Sequence, residues 1–343
     1  MKKILIIIIG VFVFIYGYLF FGRCGVLPKN TNYEVILGSK LYKLTKNGLV
    51  EMGLIGFGTW DTQKYLGNII LNKSQKNIYF FDVDYGTEAD HKLMGIYKTG
   101  LDDFTAKPAL VLETNDPALI LSLSPDENFL LFVLQEQSQP YVVFLLELKT
   151  GKKQKLFNDY NLDCDAIWIN DHQFVYGSTK INEANKKNIL YLYDINSKAK
   201  IDLHMDGYCP GALSPDGKEL ILASEEKTIL YNVYDSNIKI IANRRMPIGG
   251  AIWLSDGEGF LYSDMTFEEF LDAFIFVDAH YGLYYYSLKK KKSVRLIKYY
   301  NLASERGFIV PPGLNINIPG TDSYRKMLAE NPSRHLIKIC KLW

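Results

Sequence analysis

From about Val35 onward the chain alternates short apolar runs with polar turns, a strand pattern rather than a helical one. The clearest specimen runs from Ala212-Leu213 through Ser214-Pro215-Asp216-Gly217-Lys218 to Leu220-Ile221-Leu222-Ala223. Pro pre-sets the backbone at the second turn position, Asp bonds its own backbone and Gly accepts positive φ, so this phrase predicts a tight hairpin with a structural aspartate. Three relatives of it occur: Leu123-Ser124-Pro125-Asp126-Glu127, Ile169-Asn170-Asp171-His172 and Leu254-Ser255-Asp256-Gly257. Aligned on Ser124, Asn170, Ser214 and Ser255 they recur after 46, 44 and 41 residues, the length of one four-stranded propeller blade.

Each phrase is followed by two further strands around a second polar turn. Phe144 to Leu148 precedes Lys149-Thr150-Gly151-Lys152, and Leu283 to Ser287 precedes Lys289 to Lys292. Weaker copies at 72–81 and 303–310 bring the turn phrases to six. The expected fold is therefore all-β, a six-bladed propeller with seven blades as the alternative, because 335–343 also alternates like a strand. The stretches 40–44 and 48–52 look like third and fourth strands with no hairpin of their own. Pairing them with the segment near Ser304 would close the ring and remove an exposed edge.

The N-terminus breaks the pattern. After Met1-Lys2-Lys3, an uncharged run from Ile4 to Gly22 ends at Arg23. At about 1.5 Å per residue it would span about 28 Å as a helix, close to the bilayer's hydrocarbon core of about 30 Å. The expected organisation is a cytoplasmic tail (1–3), a transmembrane signal anchor (4–22), a linker (23–34) and one propeller domain (35–343). The leading lysines keep the tail inside, which places the propeller outside the cytoplasm. Arg23 before Cys24 argues against a lipidated cysteine.

Composition narrows the function classes. Lys plus Arg number 39 against 38 Asp plus Glu, a net charge of +1, so no global field recruits nucleic acid. The five histidines are scattered and no Cys-x-x-Cys occurs, so zinc is not expected. There is no Gly-x-Ser-x-Gly elbow and no room beside the propeller for a hydrolase domain. Neither catalysis nor a cofactor is expected.

The Trp-x-Ser-Pro-Asp-Gly-like phrases, with Trp168 and Trp253 leading two of them, resemble those of TolB-like propellers, a WD40-like repeat class also found in the propeller half of prolyl-oligopeptidase-type enzymes. The resemblance covers about Val35 to Trp343. It implies an interaction platform, here a protein-interaction scaffold of the cell envelope.

Local features supply the candidate sites. Loops at one channel mouth carry Asp116, Asp163, Asp165 and Asp206, an acidic set that suits a divalent cation and supports the alternative of small-molecule or glycan binding or processing there. Cys164 and Cys209 occupy matching places in adjacent repeats. A disulfide is the candidate, but the usual spacing of inner strands favours two free buried thiols. Insertions at 264–282 and 311–334 interrupt the repeat. Thr266-Phe267-Glu268-Glu269 opens a short amphipathic helix in the first, leaving Glu268, Glu269 and Asp272 outward as partner-binding candidates. The run Lys289 to Lys292 is expected to be a solvated hairpin tip.

Overall fold

The structure, a computed structural model, describes residues 33–37, 40–45, 48–54, 70–72, 77–83, 94–100, 108–116, 118–134, 141–158, 164–182, 185–246, 248–249, 251–264, 282–297 and 307–309. The anchor expected at 4–22, the short helix opened by Thr266, the 311–334 insertion and the terminal strand at 335–343 lie outside them.

All described elements are strands, arranged in antiparallel four-stranded sheets. Five blades are each built from consecutive strands. Blade 1 is Ile70–Asn72, Asn77–Val83, Met94–Gly100 and Ala109–Thr114; blade 2 is Ala118–Leu123, Phe129–Leu134, Val142–Glu147 and Lys152–Phe157. Blade 3 comprises Ile167–Trp168, Gln173–Asn182, Asn185–Asp194 and Lys200–Asp202, and blade 4 Cys209–Leu213, Glu219–Ala223, Thr228–Asn232 and Ile238–Ala242. Blade 5 comprises Ile252–Trp253, Gly259–Asp264, Gly282–Ser287 and Lys292–Ile297.

The expected count of six blades, with seven as the alternative, is corrected to five built from consecutive strands, beside one further sheet that closes the ring. It is a composite, in which Gly307–Ile309 supplies the inner strand and Tyr33–Leu37, Lys40–Thr45 and Gly48–Leu54 the other three. Val35 pairs with Ile309 and Leu37 with Gly307. The N-terminal stretch thus enters as second, third and fourth strands, one more than the pattern from Lys40 suggested. No seventh sheet occurs among the described residues. The inner strands lie against one another around an axis, and Gly307–Ile309 touches both Ile252–Trp253 and Ile70–Asn72, so the ring is closed.

The core lies between blades. Tyr79 and Ile96 of blade 1 meet Ile120, Phe132 and Phe144 of blade 2; Leu131 and Val143 of blade 2 meet Trp168, Phe174 and Tyr176 of blade 3. Phe157 stacks on Tyr176 with centroids 4.2 Å apart. Each fully buried side chain of this size contributes about 1.5–3 kcal/mol, so the successive interfaces hold the ring together.

The outermost strands repeat a device that pattern alone did not reveal. In five of the sheets the register slips by one residue near the end of the last strand, leaving Met52, Val111, Leu156, Ile241 and Leu296 as the extra residue. Val111, Leu156 and Ile241 pack against the interblade clusters, and Leu296 is 1% exposed. The bulge bends the edge and, at Val111, Leu156, Ile241 and Leu296, turns an apolar side chain inward, which opposes edge-to-edge pairing.

The turn phrases form the hairpins between first and second strands. Ser214 N–H donates to Glu219 O (2.8 Å) and Gly217 N–H to Ser214 O (2.9 Å); Ser124 with Phe129 and Glu127, and Leu254 with Gly259 and Gly257, do the same. Leu254, not Ser255, therefore corresponds to Ser214. In blade 3 the corresponding residue is Ile169, whose N–H donates to Gln173 O, so that turn is one residue shorter. The register read from the hydroxyl and amide residues was off by one in both blades, because it is the backbone bonds that set the repeat.

Candidate functional site

Antiparallel strands alternate direction, so each blade's first-to-second and third-to-fourth connections leave from one face of the ring. Second-to-third connections and those between blades leave from the other. On the first face, apart from 101–108, every connection among these strands has two to five residues. The second face carries 55–69, 84–93, 135–141, 158–166, 243–251, 265–281 and 298–306. All four channel-mouth aspartates, both cysteines and the insertion bearing Glu268, Glu269 and Asp272 belong to this second, loop-bearing face.

The inner hairpins of the turn face are capped by their own side chains. Ser214 Oγ donates to Asp216 Oδ1 (2.6 Å) and accepts from Glu219 N–H (2.8 Å). The Ser214 hydroxyl and the Lys218 amide hold the Asp216 carboxyl below its usual range, against a smaller opposing effect of burial. Burial pushes Asp126 up, but donors from Ser124 and Asn128 outweigh it and the net shift is downward. Asp126, Asp216 and Asp256 are caps, consumed by the corners they form, and Asn170 takes that part in blade 3.

The loop face is tied over long sequence distances. Cys164 and Cys209 form a disulfide with Cα atoms 5.0 Å apart, joining the entry to blade 3 with the inner strand of blade 4. The expectation of free thiols is overturned because the two chain entries approach closely at this end. Gly177 makes room: a Cβ there would stand 2.7 Å from Cys164 Sγ and 2.7 Å from Asn188 Oδ1. Asn188 Nδ2 donates to Tyr208 O, and Gly207 N–H donates to Asn188 O at 2.7 Å.

These contacts brace the base of an unusually long hairpin. Gln173–Asn182 and Asn185–Asp194 are ten residues each and paired to Asn182↔Asn185, whereas the corresponding strands of blade 4 have five. The five extra residues carry the blade 3 hairpin about 17 Å further out on the loop face, at about 3.3 Å per residue.

A second tie lies between blades 4 and 5. Arg244 Nη2 donates to Asp264 Oδ2 at 2.5 Å, with the Asp264 side chain 10% exposed and that of Arg244 52%. Burial pulls the guanidinium pKa down, but the bond to Asp264 and its charge more than offset this and raise it. Tyr262, two residues before Asp264, is pushed up to about 12 chiefly by burial, and its hydroxyl donates to Ser293 Oγ at 2.7 Å. Thr228 Oγ1 donates to Arg244 O (3.0 Å) and accepts from Met246 N–H (2.9 Å), pinning the connection that carries Arg244. Asp264 pairs with Gly282, so the 265–281 insertion leaves and returns at this clamped point.

Three of the four candidate cation ligands, Asp116, Asp165 and Asp206, are described, and they form no metal-holding group among the described residues. Asp165 is buried beside Cys164, Asp206 is exposed, and Asp116 accepts a bond from Thr114 Oγ1 on its backbone oxygen (2.9 Å). Asp163, Glu268, Glu269 and Asp272 lie outside the described residues. Among the described residues no three His, Cys, Asp or Glu are placed to hold a metal. The bracing residues Gly177, Asn188 and Arg244 were not singled out from sequence. Gly177, a glycine inside a strand, carried a signal of close approach; Asn188 and Arg244 carried none.

Neither a protein-family model nor a curated protein matches the chain. Among solved structures it is similar to TolB from Acinetobacter baumannii, with a TM-score of 0.57 at 15% identity over 87% of this chain and 70% of that one. A protein described as TolB from Agrobacterium tumefaciens gives 0.55 at 10% identity, over 82% and 99%. The chain has a TolB-like propeller fold. At these identities the likeness is one of fold, and the features peculiar to this TolB-like ring are the braced hairpin, the interblade disulfide and the clamped insertion.

Proposed function

We propose that the chain is a single-pass membrane protein, with a tail at 1–3, an anchor at 4–22 and a linker at 23–34, whose propeller lies outside the cytoplasm. Its loop-bearing face binds a protein partner of the cell envelope. The observation that carries this reading is the segregation of all but one of the long connections, the projecting hairpin and the clamped insertion onto one face, opposite a face made mostly of short self-capped turns. Binding residues are commonly placed on loops held by a rigid scaffold. The disulfide suits an oxidising compartment, and the uncharged run from Ile4 to Gly22 has the length of a membrane span.

Cross-linking in intact membranes followed by pull-down tests the reading. A discrete partner should be recovered with the full chain and lost when 265–281 is replaced by a short turn or when Glu268, Glu269 and Asp272 are changed to alanine. Recovery of the same partner from both variants would overturn the assignment of this face. A divalent cation that copurifies with the chain and is lost in Asp163→Ala and Asp206→Ala would point instead to small-molecule or glycan binding at the channel mouth.

A further inference from the structure

Tyr33 opens the second strand of the composite sheet, antiparallel to Gly307–Ile309, which occupies the inner-strand position. Second strands begin at the turn face in every blade, so the chain arriving from residues 23–32 enters the ring there and not at the loop face. Ten residues reach at most about 36 Å fully extended. An anchor at 4–22 therefore keeps the turn face close to the bilayer.

That face has a basic corner at the point of entry. Blade 5 is the neighbour of the composite sheet, and its outer hairpin presents Lys289, Lys290, Lys291 and Lys292, all exposed. Ser287 Oγ accepts from Lys290 N–H (3.3 Å) and Leu288 N–H donates to Glu258 O (3.0 Å), so the tip is held to the inner hairpin. No carboxylate among the described residues pairs with any of the four lysines. Lys291 has φ of 50°, where blade 2 places Gly151 at 70°, so a lysine stands at a position better suited to glycine.

We infer that Lys289 to Lys292 dock on anionic lipid headgroups of the membrane that holds the anchor, tilting the propeller onto its blade 5 edge with the loop face directed away from the bilayer. This rests on the anchor proposed above. The occupant follows from charge and tether together: four lysines with no carboxylate partner among the described residues are held by a short linker beside a membrane, and anionic headgroups, on whichever leaflet they lie, attract such clusters. The inner hairpins carry Asp126, Asp216 and Asp256 around the axis, so attraction is confined to the rim and favours a tilt over flat contact.

The full chain, reconstituted into vesicles of phosphatidylcholine alone or with phosphatidylglycerol added, is treated with an amine-acetylating reagent and mapped by mass spectrometry. Acetylation of Lys289 to Lys292 should fall about tenfold when phosphatidylglycerol is present and recover in about 1 M salt, where the Debye length shrinks to about 3 Å. Lys227, on the loop face, should react equally in both. The variant with all four lysines changed to glutamine should float equally with either vesicle, and its remaining lysines should show no protection that depends on phosphatidylglycerol. If the chain floats with both vesicles and the four lysines react equally, the docking is wrong and the anchor stands. If the chain floats with neither, both fall.

Discussion

The two faces of the ring are stabilised at different ranges along the chain. On the turn face the corners themselves are closed by bonds between residues two to five apart, such as Ser214 to Asp216 and Glu219 to Ser214, and the longer bonds, such as Leu288 N–H to Glu258 O, join the two hairpins of a single blade. On the loop face they join residues 16 to 45 apart: Thr228 to Arg244, Arg244 to Asp264, Asn188 to Tyr208 and Cys164 to Cys209. Short-range bonds form each corner independently of its neighbours. Long-range ties fix how neighbouring blades and their loops sit, which is what a binding face requires.

Cutting the longest tie should have the largest effect. The paired change Cys164→Ser and Cys209→Ser releases a loop with a separation of 45 residues, and chain entropy alone assigns it about 4 kcal/mol. A correspondingly lower Tm than the oxidised protein, matched by wild type in reductant, is the expected result; an unchanged Tm would make the loop face no more dependent on long ties than the turn face. Asp264→Ala should cost about 2 kcal/mol, less than a fully buried pair because half of Arg244 can reach water, and should raise proteolysis within 265–281. Cleavage unaltered by the change would remove the clamp from the account.

On the turn face the expected changes are smaller and stay within one corner. Ser214→Ala removes three bonds of one cap and should cost about 1 kcal/mol by denaturant unfolding, without altering the reactivity of the Cys164–Cys209 pair to reductant. Glu127→Gly should raise stability by about 1 kcal/mol, since Glu127 holds φ of 60° where the corresponding Gly217 holds 73°. Acid gives the smallest single-site effect. Asp126, Asp194 and Asp216 have depressed folded-state values, so their contribution is complete above the ordinary Asp range near 3.9 and is lost as pH falls below it. Tm should be flat from neutral pH to about 5 and then decline, and the decline should be shallower in Asp216→Asn.

The difference in range also explains what was legible. Ser-Pro-Asp-Gly could be read as a corner because its partners are its own neighbours, and the recurrence of such corners predicted a ring of β-blades. The closure by residues near Ser304 was also foreseen, since 40–44 and 48–52 lacked a hairpin of their own. The one-residue shifts at Ile169 and Leu254 were not, because the backbone bond that defines the position is indifferent to the side chain there. Nor was the Cys164–Cys209 bond favoured, because generic blade spacing does not contain the room left by Gly177.

By itself the sequence determined the strands, their turns and the repeat that stacks them, since each depends on φ preferences and side chains within a few residues. Only the tertiary structure decided that the long connections share one face, that Asn188 and the disulfide brace a hairpin of ten-residue strands, and that the chain enters beside Lys289 to Lys292. Those outcomes depend on strand direction and on the approach of residues far apart in sequence, quantities that arise only when the ring closes.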